Sequence, residues 1–266
     1  MNGAPAGLAR NLSLRSLRVW QRNADVYLVT WKTNVVPPLL EPILYLVAFG
    51  MGIGALVNQV VYRGQPIGYT AFIAPGLLAT QVMFQAFFEN TFNTFVRMYY
   101  QRTFDAIVTT PLSLEDIMAG ELLWGATKGT IGCTIMMVAI SFFGLLHYPA
   151  ALVIVPFSFL AGLFFAGAGL CFTGIVPQID SFNFPVFLLV MPMFLFSGTF
   201  FPLEVLPPWA RFMAEALPLT HVTRVMREAA LGRFPADLLW DLLYLVLVTI
   251  PVVYLGIRLM RRRLLP

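Results

Sequence analysis

Six stretches of this chain, residues 35–56, 69–96, 122–146, 150–176, 184–202 and 238–259, are almost wholly apolar. Each meets the requirement of about 20 residues for a helix that crosses the hydrocarbon of a bilayer. No other feature limits the fold so strongly, because a backbone in lipid must satisfy its own hydrogen bonds and a helix does so internally. Composition agrees: 59% of residues are hydrophobic and only 11% charged, against about 25% charged in a soluble chain. Disorder, collagen-like repeats and an ordinary water-soluble enzyme are excluded. The first stretch begins beyond residue 30 and is too long for the core of a cleavable signal peptide. The expected fold is an all-α integral membrane protein with six transmembrane helices.

An even number of spans puts both termini on one side, and Lys and Arg choose the side because short basic flanks stay in the cytoplasm. Arg10, Arg15, Arg18, Arg22 and Lys32 precede the first span, Arg97 and Arg102 follow the second, and Arg258, Arg261, Arg262 and Arg263 close the chain. On the other side lie Arg63 and, between spans five and six, Arg211, Arg224, Arg227 and Arg233. The bias predicts cytoplasmic termini. The organisation is then an N-terminal region 1–34, one transmembrane domain 35–259 and a basic tail 260–266.

Before the first span, Leu17, Trp20, Ala24, Tyr27, Leu28 and Trp31 recur at three-and-four spacing, with Arg15, Arg18, Arg22 and Asp25 on the other faces. The pattern predicts an amphipathic helix lying at the headgroups. Between spans two and three, the polar segment 97–121 carries Tyr100, Phe104, Ile107 and Val108 at helical spacing, ended by Pro111. It predicts a short cytoplasmic helix suited to docking. Ser113 followed by Asp116 resembles a capping box that starts the third span afresh. Segment 203–237 is too apolar for a solvated loop and too rich in proline to span. Two short helices are expected in it, with faces formed by Phe212, Met213, Ala216 and Leu217 and by Val222, Val225, Met226 and Ala229, making a re-entrant outer hairpin.

No nucleotide site is visible. GELLWGAT from Gly120 to Thr127 has the glycine spacing of a phosphate loop, but Ala126 stands where the lysine is needed. His147 and His221 are too far apart in sequence to suggest a metal pair, and Cys133 and Cys171 sit within apolar runs as core thiols. Neither a catalytic residue nor a bound metal is expected.

Charges inside spans are the sharper signal, since each costs about 2.5–3.5 kcal/mol at a helix centre. Asp241 and Arg258 lie near span ends, whereas Glu41, Glu89 and Lys128 lie deeper, all at about 9–10 Å from the cytoplasmic boundary at 1.5 Å per residue. Shared depth lets Lys128 pair with Glu89 or with Glu41. Snorkelling to the headgroups without contact is the competing reading. Gly50, Gly52 and Gly54, Gly125 and Gly129, and Gly162, Ala166, Gly167 and Gly169 mark close helix approach. Phe84, Phe87, Phe88, Phe92 and Phe95 either pack against lipid and helices or line an apolar or sugar-stacking path.

With these motifs in order, the sequence resembles a permease of the ABC-2 type, the membrane subunit of ATP-binding-cassette exporters, and within that family the nodulation protein J branch. The resemblance is carried by FDAIVTTPLSLEDIMAGELLWGATK from Phe104 to Lys128, FLFSGTFFPLEVLP from Phe194 to Pro207, LPLTHVTRVMR from Leu217 to Arg227 and the terminal RRRLL from Arg261. It implies a homodimer of six-span subunits in the bacterial inner membrane. Each subunit would dock a separate ABC ATPase subunit, which holds the ATP and Mg that this chain does not. It places the coupling helix at about 97–110, with Arg97, Arg102, Phe104, Asp105, Ile107, Thr110 and Pro111 as coupling residues. Ser197, Gly198, Phe201, Pro202, Pro218, His221 and Arg224 would form the outer re-entrant gate. The implied substrate is amphipathic: a lipo-oligosaccharide, a lipid-linked glycan or a similar molecule, or in other branches a drug or lipid. A passive channel or scaffold, and an intramembrane enzyme, are the alternatives from other classes. Dependence on a soluble ATPase separates all three.

Overall fold

The computed structural model describes residues 13–264. Arg10 and the rest of 1–12, together with Leu265 of the terminal motif and Pro266 after it, lie outside the described residues, as do the side chains of Pro42 and Met51. Helix α1 (Ser16–Val29) precedes the first long apolar helix, α2 (Trp31–Leu56). A two-stranded hairpin, β1 (Gln59–Tyr62) and β2 (Gln65–Gly68), leads into α3 (Tyr69–Tyr100). A six-residue helix, α4 (Thr103–Val108), separates α3 from α5 (Leu114–Ser141), which is followed by α6 (Ala150–Ile175) and α7 (Ile179–Phe196). Two short helices, α8 (Pro208–Glu215) and α9 (Pro218–Ala230), precede α10 (Leu238–Leu264). Helices α2, α3, α5, α6, α7 and α10 are long and apolar enough to cross a membrane.

The hairpin is the departure from an all-helical reading. Its strands pair antiparallel with Val60 opposite Ile67, and its two-residue turn, Arg63 and Gly64, has positive φ at both positions (49° and 75°). Such a turn matches the twist of the flanking strands, and glycine fills the second position without a Cβ clash.

Helix α3 is the buried centre, touched by α5, α6 and α9, while α10 packs along α6 and α2 lies largely uncovered. Small residues set these approaches, since helices in lipid associate by close packing rather than by a hydrophobic drive. A Cβ at Gly162 would stand 2.9 Å from Ala126 Cα, and one at Gly169 would stand 2.8 Å from the Phe87 carbonyl. Gly52 departs from the expectation and faces open space. Cys133 is buried, and Cys171 lies within 3.3 Å of the Val252 carbonyl.

Several boundaries move, each for a local reason. The third span begins at Leu114 rather than 122, because the Ser113 hydroxyl accepts from the Asp116 N–H at 3.0 Å while the Asp116 side chain accepts from the Ser113 N–H at 3.3 Å. Asp116 also accepts from Ser13, backbone at 2.7 Å and hydroxyl at 3.0 Å, so the cap fastens the segment before α1. Replacing Ser113 by Ala is expected to lower stability by about 1 kcal/mol, read as a small drop in the thermal unfolding midpoint of the purified protein. Residues 142–146 lie beyond α5, whose end is followed by Gly144 at φ 67°. Residues 197–202 are not helical, because Gly198 at φ 70° turns the chain after α7.

Helix α1 docks by part of its expected apolar face, with Tyr27 5.6 Å from Trp124 of α5 by ring centroids, and by residues beside that face. Ser16, Val19 and Asn23 are buried against α5, where a Cβ at Gly120 would stand 2.5 Å from Val19 Cβ. Trp20 Nε1 donates to Thr127 Oγ1 at 2.9 Å. Leu17, Leu28 and Trp31 remain exposed. In α8 the buried residues are Ala210 and Ala214, and the expected Phe212 and Met213 face outward, because only alanines fit the close approach. In α9, Val222, Val225, Met226 and Ala229 are buried as their spacing predicts.

Candidate functional site

The end of the bundle that carries α1 and the end of α10 holds a buried charge cluster built from α1, α3 and α5. Glu89 and Glu121 are 2% and 1% exposed. Arg97 bridges them, with Nη1 2.7 Å from Glu89 Oε1 and Nη2 2.5 Å from Glu121 Oε2. Lys128 Nζ lies 2.7 Å from Glu89 Oε2, which also accepts from Asn93 Nδ2 at 2.6 Å. Trp124 Nε1 donates to Glu89 Oε1 at 3.1 Å. Glu121 accepts from Thr94 Oγ1 and from Asn23 Nδ2, each at 2.9 Å. Both carboxylates are thus paired and hydrogen-bonded, the condition under which buried charge is tolerated. The backbone cooperates, since α3 opens into wide π turns over Glu89–Asn93 and Val96–Tyr100. Such turns concentrate at functional positions.

Of the two partners expected for Lys128, Glu89 is the one it meets, because α2 starts at Trp31 and Glu41 lies ten residues into it, away from the cluster. Arg97 is no docking residue on a short helix. It belongs to the end of α3 with its guanidinium turned inward. Glu121, Trp124 and Asn23 were missed. Starting the third span at the Ser113 capping box would have placed Glu121 inside a membrane helix and marked it as costly. Beside the cluster, a cavity of about 220 Å³ is lined by Arg22, Tyr27, Asn34, Asn93, Gln101 and Lys128 among others. Burial and the nearby Arg97 charge lower the Arg22 pKa.

Past Arg97 the chain breaks at Arg102, which takes the left-handed conformation at φ 50°, and α4 follows. The expected coupling helix of 97–110 is therefore only Thr103–Val108. Phe104 is buried and seats it, Ile107 is half-buried, and Arg102, Asp105, Val108, Thr110 and Pro111 are exposed. Arg15 Nη1 donates to the Pro111 carbonyl at 2.5 Å. A cleft of about 510 Å³ opens between α4, the start of α5 and the end of α10, lined by Phe104, Asp105, Val108, Glu115 and Arg261. Glu115 and Arg261 pair across it at 3.3 Å.

The opposite end carries the hairpin, α8 and α9. Arg63 joins Glu228 of α9 at 2.9 Å and Asp237 before α10 at 2.6 Å. Its guanidinium holds the Asp237 carboxyl below the usual range. Arg227 is 3% exposed, donates to the Phe72 carbonyl at 3.0 Å and the Gly198 carbonyl at 2.7 Å, and lies 3.8 Å from the Phe72 ring centroid. Burial lowers its pKa to about 10, which leaves it charged at neutral pH. Arg224 joins Glu215 and Asp241 at 2.7 and 2.8 Å, and His221 Nδ1 lies 2.6 Å from Asp241. Ser197 donates to the Met193 carbonyl, Pro218 opens α9, and Phe201 is half-buried. Ser197, Gly198, Pro202 and Arg224 line a polar cavity of about 340 Å³ with Arg63 and Arg227. His221 and Pro218 are not part of its lining.

A chain of ring contacts connects the two ends. It runs Tyr45, Phe49, Phe200, Phe194, Phe84, Phe88, Phe92, Phe182, Phe95 and Tyr99, with centroids 5.0–5.9 Å apart. Most of these rings are half-buried, so they form a lined face rather than a sealed core. Phe87 differs, buried against Phe172.

A family model described as ABC-2 type transporter matches residues 17–231. The chain is 33% identical to nodulation protein J of Rhizobium leguminosarum bv. viciae, over 98% of this chain and 97% of that protein. It is 35% identical to nodulation protein J of Rhizobium leguminosarum bv. trifolii, over 95% of each. With the inner membrane transport permease YadH of Escherichia coli (strain K12) it shares 25% identity over 80% of this chain and 82% of that one.

Proposed function

Because this chain belongs to the ABC-2 type transporter family, we propose that it is the permease subunit of an ATP-driven exporter. It carries an amphipathic molecule, a lipo-oligosaccharide or lipid-linked glycan, outward across the bacterial cytoplasmic membrane. The likeness to nodulation protein J favours that branch over drug or lipid efflux. Both termini lie in the cytoplasm, so the Glu89 cluster and α4 are on the inner side and the hairpin with α8 and α9 on the outer. A separate ABC ATPase subunit binds ATP and Mg and docks on α4, and two copies of the permease form the working unit.

The observation that carries this reading is the placement of α4. It is short, exposed on Asp105 and Val108, anchored by buried Phe104, and borders an open cleft. Six residues upstream of its start, Arg97 ties the end of α3 to α5, and through Glu121 to Asn23 of α1. A push on α4 therefore moves α1, α3 and α5 as one body, and the two copies rock about their interface. The substrate travels along the half-buried aromatic face between α2, α3 and α7, covered by the second copy.

Replacing Asp105 by Ala and Arg102 by Gly tests the docking assignment. Glycine keeps the left-handed backbone at φ 50° without strain. Removing both exposed side chains is expected to weaken ATPase co-purification and ATP-dependent export at least about tenfold, as for a central interface residue. Unchanged subunit binding with unchanged export would remove α4 as the coupling element.

A further inference from the structure

Glu41 lies ten residues into α2, about 15 Å along the helix, and among the described residues it has neither an ion pair nor a hydrogen bond. An ionisable group at such a position without a partner marks a functional site rather than a packing one. A second orphan faces the same space. Gln81 of α3 is 3% exposed, and its Nε2 has no hydrogen-bond partner. A buried amide left in this state calls for a missing partner. Glu41, Tyr45, Gln81, Phe84, Gln85 and Phe88 together line one cavity of about 340 Å³, within the roughly 300–1,000 Å³ of small-molecule sites.

The residue spacing shows how the sequence builds this site. Gln81, Phe84, Gln85 and Phe88 share one face of α3, and Glu41 and Tyr45 share one face of α2. The cavity opens on the aromatic track, since Phe84 lies 5.5 Å from Phe194 and 5.7 Å from Phe88 by ring centroids.

We propose that this cavity binds an uncharged, hydroxyl-rich ring of the transported molecule, such as a pyranose, stacked on Phe84 and Phe88. The inference rests on the permease reading above and names the substrate group that its path recognises. A hydroxyl accepts from the Gln81 amide and donates to the Glu41 carboxyl at once, so it satisfies both orphans. An organic cation would suit Glu41 and the rings but has nothing to accept from Gln81. Tyr45 and Gln85 add a phenol and a second amide, each both donor and acceptor.

The test uses the full chain in lipid nanodiscs, prepared without sugar detergents, and measures saturable binding of radiolabelled octyl glucoside and octyltrimethylammonium. Wild type is expected to bind the glucoside and not the ammonium. Glu41→Ala and Gln81→Leu should each weaken glucoside binding about tenfold or more, and Glu41→Gln, which still exchanges hydrogen bonds, by no more than about threefold. Each variant is compared at an unfolding midpoint matching wild type, and Glu41→Gln and Gln81→Leu keep side-chain volume so that folding is preserved. Saturable ammonium binding lost in Glu41→Gln would overturn the proposal in favour of a cation site. Absent glucoside binding in wild type, or binding unchanged in both Glu41→Ala and Gln81→Leu, would overturn it outright. Export that still depends on an ATPase partner in either case would leave the permease reading standing. Export independent of any ATPase would remove that reading instead.

Discussion

Replacing Arg97 by alanine will sharply lower the yield and thermal stability of the folded protein, more than any change in the exposed part of α4. The guanidinium is the cation common to Glu89 and Glu121. Without it, Glu89 keeps Lys128, Asn93 and Trp124, but among the described residues Glu121 keeps hydrogen bonds from the neutral donors Thr94 and Asn23 alone, with the Arg22 charge nearby but making no bond to it. Removing one partner of a buried pair costs about 3–5 kcal/mol because the remaining charge is left uncompensated. The asymmetry gives a sharper test. Glu121→Gln should restore much of the stability of the Arg97→Ala protein by removing the stranded charge, whereas Glu89→Gln should restore less and leave Lys128 without its acid. Thermal unfolding of the three proteins in one detergent decides it. Rescue by Glu89→Gln but not Glu121→Gln would show that the charge balance is assigned to the wrong carboxylate.

The six spans were legible because lipid imposes one simple requirement, length of apolar sequence, and the sequence meets it six times. The Ser113–Asp116 box was legible because capping is local and its donors lie three residues apart. What was not legible depends on distant partners. Glu121 looked like the last polar residue of a loop until the helix start moved back to Leu114, after which it became a buried carboxylate needing a cation. The hairpin was hidden because Arg63 occupies a turn position that usually signals itself with Asn or Asp before Gly. Helix α1 announced an apolar face at Leu17, Trp20, Ala24, Tyr27, Leu28 and Trp31, of which Trp20 and Tyr27 do meet α5, yet Val19 and Asn23 are the more deeply buried, because Gly120 and Glu121 of α5 determine what can approach. Glu41, Glu89 and Lys128 were rightly singled out as costly residues. Glu89 and Lys128 pair as expected, and only Glu41 leaves the group, because an error of four residues in the start of α2 shifts it by about one turn.

The same logic at the end that carries the hairpin yields the second large effect. Arg227→Met should loosen the junction of the hairpin, the α7 turn and α9, with a loss of about 3–5 kcal/mol from two charge-assisted hydrogen bonds and a ring contact. Methionine fills much of the same space, so the cost comes from the lost donors rather than a cavity. The Phe72 carbonyl at the start of α3 and the Gly198 carbonyl in the turn after α7 both lose a donor that reaches them from α9. Gly198 takes φ 70° without strain, as glycine can, and Arg227 is the donor that reaches its carbonyl from α9. Hydrogen exchange should therefore rise in peptides covering 197–207 before it rises in α6, and the unfolding midpoint should fall by on the order of 10 °C. Arg227→Lys, which keeps the charge but lacks the planar fork that reaches two carbonyls, should fall between wild type and Arg227→Met. Equal exchange in all three proteins over 197–207 would mean that Gly198 is held by its own turn, and Arg227 would then serve only as a buried partner for the Phe72 ring.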